Sequence, residues 1–206
     1  MKNKIVYLLS TVILIYCVFL KISYNRKIKS FEKPLVAFNT IKNCIEIEER
    51  IKGKFPDLRI KGPDRKEIFL YDRLDREFDN FYVLVITSLE TCSTCREQTL
   101  KIWDDIYKKD NETPIILIIS EDREIKKGDT RKTSAYLKGS GIQLPNYLDS
   151  DSILLGAFGV TPNQTPLSLI VRRDKKIIAA NKTRELTVDR TIRFKNLFLS
   201  LISKEE

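Results

Sequence analysis

The chain has 206 residues, enough for one ordinary domain and an appendage, and its 42% apolar and 32% charged content excludes both a disordered chain and a multi-span membrane protein. The formal net charge is +9, but lysine and arginine are spread along the chain without a basic block interleaved with aromatics, which argues against a nucleic-acid partner. Histidine is absent, so Cys-His and Ser-His nucleophile pairs, His-ligated zinc and imidazole acid–base chemistry are all excluded.

Residues Ile5–Leu20 carry no charge, and the apolar stretch extends past Lys21 to Ile22 and Ser23. About twenty helical residues reach across a bilayer core of ~30 Å. Lys2 and Lys4 precede the stretch, and its end has bulky residues, Tyr16 to Leu20, where a cleavage site needs small ones. Residues 5–23 are therefore expected to be an uncleaved transmembrane signal anchor behind a short cytoplasmic tail, residues 1–4. Cys17 reads as an apolar thiol within that helix, since bulky Tyr16 does not suit a lipoprotein site. Lys21, Arg26, Lys27 and Lys29 follow the span and outnumber the basic residues before it, which by charge alone keeps the domain in the cytoplasm.

Residues 24–54 form a polar, Lys-rich connector. Within it, Ile41, Cys44 or Ile45, and Ile51 predict one face of a helix over Ile41–Ile51, with Cys44 a small apolar residue on that face. The folded domain is expected over residues 55–206. Leu58–Lys61 and Glu67–Tyr71 flank Gly62-Pro63-Asp64 and predict a hairpin. Phe81–Thr87 and Pro114–Ser120 are nearly continuous apolar runs, the pattern of strands buried on both faces of a largely parallel sheet. Between them Cys95, Thr99, Trp103, Ile106 and Tyr107 mark one face of a helix over Cys92–Lys109. Further helices are expected over Thr130–Gly139 and Ser152–Phe158. Pro166–Val171 and Lys176–Ala180 then read as a hairpin, and Val188–Ser203 as a last helix with Val188, Ile192, Leu197 or Phe198, and Leu201 inward. The order ββ, βαβ, helices, ββα predicts an α/β fold with a central mixed sheet flanked by helices.

One motif carries chemistry. In Cys92-Ser93-Thr94-Cys95 the first thiol falls where a buried strand turns into a helix. Unpaired amides and the helix dipole favour its thiolate there, the nucleophile of thiol–disulfide exchange. The second thiol returns to the same face one turn later and can resolve a mixed disulfide formed on the first. A structural zinc site needs more ligands than Cys44 can add. A Cu(I) site of two thiolates and a pair of inert buried thiols stay open at this point, although polar Ser93, Thr94, Arg96 and Glu97 argue for exposure of Cys92.

With FYVLVITSLETCSTCREQ around the motif, FPDLRIKGPDRKEIFLYDRL before it and NYLDSDSILLGAFGVTPNQTPLSLIVRRDKKII after it, the chain from Phe55 to Ser203 resembles the TlpA/ResA-like branch of the thioredoxin superfamily, within the redoxin group. The resemblance implies a thioredoxin-like fold and a thiol–disulfide oxidoreductase without cofactor or metal. It implies Cys92 and Cys95 as catalytic residues and redox disulfide, and a cis-proline at Pro166 that, with Thr165, forms the substrate site. The partners it implies are disulfide-containing or dithiol proteins and a membrane electron donor, and the domain is expected on the extracytoplasmic side of the cytoplasmic membrane. The chain departs from the family in places. Thr91 replaces the usual Trp, Ser93-Thr94 lack Pro, Ile86 replaces thioredoxin's buried acid, and Gln98 replaces a Glu of some relatives. No proton acceptor for Cys95 is therefore identified. A divergent peroxiredoxin-like peroxidase would need Pro at Val85 and Thr at Leu89, and a non-catalytic Cu(I)- or protein-binding module on the same fold is the remaining alternative.

Overall fold

The computed structural model describes residues 2–51, 53–62, 66–77, 80–121, 130–184 and 187–203, with the backbone alone for residues 2–15, 17, 28–31, 33, 54, 73, 75–77, 130–132, 134, 150 and 188. The chain divides into two compact units, Met1–Lys42 and Asn43–Glu206. The first is formed by helix α1 (Lys2–Arg50), which carries Pro34 inside it and runs on into the second unit. Among the described residues no helix is long and apolar enough to cross a membrane. Most of the uncharged stretch Ile5–Leu20 lies outside the residues whose side chains are described.

The second unit begins at Asn43, ahead of the expected Phe55. The last turns of α1 belong to it because Cys44, Ile47 and Ile51 are buried, while Ile41 and Ile45 are exposed. Burial on one helical face outweighs the polar composition that reads as a connector.

The unit is built on one eight-stranded sheet. Its strands are β1 (Gly53–Lys54), β2 (Arg59–Lys61), β3 (Glu67–Phe69), β4 (Phe81–Ser88), β5 (Ile115–Glu121), β6 (Asn146–Ser150), β7 (Leu167–Arg172) and β8 (Lys176–Lys182), in the spatial order β1-β8-β7-β4-β5-β6-β2-β3. The β4–β5 and β5–β6 pairs are parallel and the others antiparallel. The two apolar runs of the sequence occupy the centre as β4 and β5. Alternation sends Leu84, Ile86, Ile116 and Ile118 to one face and Val83, Val85, Ile115 and Leu117 to the other. The first face is covered by the end of α1, by α2 (Leu70–Glu77) through Leu70 and Leu74, and by α5 (Ile153–Ala157) through Leu154 and Leu155. The second is covered by α3 (Ser93–Tyr107), α4 (Thr130–Ser140) and α6 (Val188–Ile202).

The first hairpin forms as expected, with Ile60 opposite Ile68. Its second strand stops at Phe69, where the chain enters α2 because Leu70 and Leu74 meet the core at helical spacing. Strand β6, which lacks an apolar run, pairs alongside β5 and buries Tyr147 and Asp149. In α6 the inward face is Thr191, Phe194 and Phe198, whereas Ile192 and Leu197 are exposed. The two rings pack edge-on against Trp103 at centroid distances of 6.2 and 5.9 Å, and this aromatic contact sets the rotation of the helix. The side chain of Val188 lies outside the described residues.

Candidate dithiol site

Strand β4 delivers the chain to α3 through residues 89–92. Arg96, buried against expectation, fixes this turn: its guanidinium donates to the carbonyls of Ser88 (3.3 Å) and Leu89 (3.0 Å) and stacks over Tyr136 at 4.5 Å. Cys92 is the N-cap of α3 and is exposed, while Cys95 one turn on is buried at 2% exposure. The Cys95 amide donates to Cys92 Sγ at 3.4 Å, so a helix-terminal N–H points at the outer sulfur. The Cys92 thiol is held below its ordinary value of 9.0, first by the hydrogen bond from the Cys95 side chain, then by the Cys95 amide, with smaller help from the Thr94 amide and Arg184. Thr99 Oγ1 donates to Cys95 O at 2.8 Å, and Trp103 Nε1 reaches Ser168 Oγ on β7 at 3.0 Å, which clamps α3 to the sheet.

The Thr165–Pro166 peptide is cis, and Pro162, the rival position, instead opens a short 3₁₀ turn, Pro162–Gln164. The loop is joined to the cysteine turn by Thr91, whose hydroxyl donates to the carbonyl of Thr165. Both Thr165 and Pro166 are buried. Their backbone is engaged internally: Thr165 N–H donates to Pro162 O at 3.1 Å, and Pro166 O accepts from Thr183 N–H at 3.2 Å. The outer surface of this loop is offered by Thr161 and Asn163, which are exposed.

At the positions where the family keeps an acid, Ile86 is fully buried in the core. Gln98 Oε1 is buried with no hydrogen-bond partner among the described residues. A buried charged group against the proline loop comes from the end of β8, which the sequence reading did not single out. Lys182 is 1% exposed, and its ammonium donates to the carbonyl of Gln164. Its amide donates to Glu48 Oε1 at 2.9 Å, and Glu48 Oε2 pairs with Arg190 at 2.5 Å. Burial, and then Arg184, push the Lys182 amine down to about 8, while Cys44, Cys95 and Glu48 act in the opposite sense. Burial raises the Cys44 thiol above its ordinary 9.0, which leaves it a core residue. A lone lysine after an apolar strand carries no sequence signal for burial, because lysine is ordinarily a surface residue.

A mixed central sheet with helices on both faces, a Cys-x-x-Cys at the junction of β4 and α3, and a cis-proline loop tied to it by Thr91 define the thioredoxin fold. Among solved structures the chain is similar to a provisionally assigned protein disulfide isomerase from Bacteroides thetaiotaomicron, with 20% identity and a TM-score of 0.50 over 72% of this chain and 89% of that one. It is similar also to a provisionally assigned thiol:disulfide interchange protein DsbE from Chlorobium tepidum, with 15% identity and a TM-score of 0.52 over 72% and 96%. A third is an uncharacterized conserved protein from Geobacillus kaustophilus, with 16% identity and a TM-score of 0.51 over 66% and 70%. At these identities the likeness is one of fold. No protein-family model matches the chain, and no curated protein matches it.

Proposed function

We propose that the protein is a thiol–disulfide oxidoreductase in which Cys92 is the attacking thiolate and Cys95 the resolving thiol. The observation that carries this reading is the exposed Cys92 at the N-cap of α3, its thiol held below the ordinary range, with Cys95 buried one turn behind. Cys92 attacks a substrate disulfide and forms a mixed disulfide, releasing one substrate thiol. Cys95 then attacks Cys92 Sγ, which frees the second substrate thiol and leaves Cys92 and Cys95 joined. Two electrons and two protons pass from the dithiol to the substrate. Thr165 and Pro166 form the floor of the substrate site, and the exposed side of the 161–164 loop lies where an extended disulfide-containing protein approaches. Two of the structural neighbours are named for disulfide chemistry, which agrees with this reading.

The anchor is residues 5–23, and the domain works outside the cytoplasm on exported proteins, recharged by a membrane electron donor. The uncharged stretch Ile5–Leu20 supports the anchor, as does the run of exposed apolar residues Tyr16, Val18, Phe19, Leu20 and Ile22 in α1. The basic residues after the span argue for the opposite side. A dithiol in the cytosol is served by soluble reductants and gains nothing from a tether, whereas confinement raises the local concentration of a membrane partner. Reduction of a disulfide substrate that is abolished in Cys92→Ser supports the activity. Tight Cu(I) binding by the reduced protein without any reductase activity would replace it with a metal-binding module. Alkaline phosphatase activity from a fusion after Glu206 supports export, and a fusion active only as a cytoplasmic reporter would overturn the localisation alone.

A further inference from the structure

To hold an extended substrate by strand pairing, the proline loop would need an accessible main-chain N–H and carbonyl. Here those groups are engaged within the protein. The Gln164 N–H donates to Thr161 O at 2.9 Å, and the Thr165 N–H donates to Pro162 O at 3.1 Å. Pro166 has no N–H. Gln164 O accepts from the Lys182 ammonium, Thr165 O from the Thr91 hydroxyl, and Pro166 O from Thr183 N–H at 3.2 Å. A carbonyl oxygen keeps a second lone pair, but Thr165 is 0% exposed and Pro166 is buried, so no substrate N–H reaches either one.

The group this loop does offer is Asn163. It is exposed and sits in the 3₁₀ turn Pro162–Gln164, which packs against β4. Thr161 Oγ1 donates to Asn163 Oδ1 at 2.6 Å, and this bond orients the carboxamide. Asn163 Nδ2 makes no hydrogen bond among the described residues, which leaves both of its N–H donors free. Thr165, two residues on, is bonded through its carbonyl to Thr91, the neighbour of Cys92. The carboxamide therefore belongs to the rim of the dithiol site. Resting on the oxidoreductase reading, we propose that Asn163 is a specificity-determining residue: its carboxamide donates to a main-chain carbonyl of the substrate protein beside the half-cystine that Cys92 attacks, in place of strand pairing to Thr165. Every protein chain carries that carbonyl, so the site takes disulfides in varied sequences and favours them over small disulfides without a peptide group. The substrate N–H groups have no part in the contact.

The test measures, in the full chain, the second-order rate at which Cys92 forms a mixed disulfide with two probes. One is a disulfide-bonded peptide with only alanine beside its cysteines, and the other is hydroxyethyl disulfide, which has no carbonyl. Asn163→Asp keeps the acceptor for Thr161 and removes both donors, and Asn163→Ala removes the carboxamide without adding charge. Each should slow the peptide about tenfold and hydroxyethyl disulfide less than about twofold. Both substitutions fall on an exposed side chain and leave the core intact. N-methylation of the peptide amides beside the cysteines removes the N–H that strand pairing requires and should change the rate less than about twofold. An unchanged peptide rate in the variants, an equal loss with both probes, or a loss of about tenfold on N-methylation would overturn the assignment. If neither probe forms a mixed disulfide on Cys92 in the unmodified protein, the oxidoreductase reading itself falls, and the role of Asn163 with it.

Discussion

The folded unit begins at Asn43, and a pair of truncations measures what the last turns of α1 contribute. A chain starting at Asn43 retains them, and one starting at Gly53 loses them but keeps the β1 pairing with Ile177 and Lys176. Ile47 and Ile51 are 5% and 1% exposed, and burying each side chain is worth about 1.5–3 kcal/mol. Glu48 adds a partly exposed ion pair to Arg190 and a hydrogen bond to the Lys182 amide, together about 1 kcal/mol. The expected loss is therefore about 4–7 kcal/mol, a large share of a typical stability of about 5–15 kcal/mol. Urea unfolding reports it through the fluorescence of Trp103, the only tryptophan, which is fully buried. A difference of less than about 1 kcal/mol between the two chains would refute the assignment of α1 to the core of this unit.

Other outcomes follow from single groups. Iodoacetamide at neutral pH should label Cys92 first in the reduced protein, with a rate midpoint below pH 9, because the shift is downward from 9.0 and Cys95 is shielded; preferential labelling of Cys95 would reverse their roles. Thr91→Val leaves the buried Thr165 carbonyl without its hydroxyl donor and should destabilise the protein by about 1–3 kcal/mol, measured as a urea midpoint. Asp149 accepts from Ser120 Oγ at 2.7 Å and from the Leu154 amide, yet burial raises its carboxyl above the ordinary range. A carboxyl raised in the folded state costs stability as pH rises from its unfolded value, about 3.9, through its folded one, so Asp149→Asn should flatten that part of the pH–stability curve, and an unaltered slope would count against it.

The parts of the fold legible in the sequence are those written as apolar runs and strong periodicity. β4, β5 and the β7–β8 hairpin are nearly continuous apolar strands, and α3 carries Cys95, Thr99 and Trp103 on one face as its spacing requires. β6 was not legible because Asn146–Ser150 has no apolar run and is a strand through its pairing with β5. Cys44 and Ile51 were legible as one face of a helix, but that this face, with Ile47, packs into the core was not, because it sits among charged residues and its partner surface is distant in sequence. The rotation of α6 was set by two phenylalanines meeting Trp103, a contact between distant segments that local periodicity does not encode. In the site, the dithiol spacing and the Thr-Pro pair were local signals and could be read. Lys182 meets Glu48 across β8 and α1, Arg96 is buried against the turn that precedes α3, and each alone reads as a surface charge.

Trapping of the mixed disulfide tests the central claim most directly. The reduced Cys95→Ser protein, mixed with a disulfide-bonded peptide, should accumulate a covalent adduct whose peptide map places the bond on Cys92, while Cys92→Ser forms none and the unmodified protein releases both peptide thiols with Cys92 and Cys95 joined. An adduct that forms equally well in Cys92→Ser, or none in Cys95→Ser, would contradict the account.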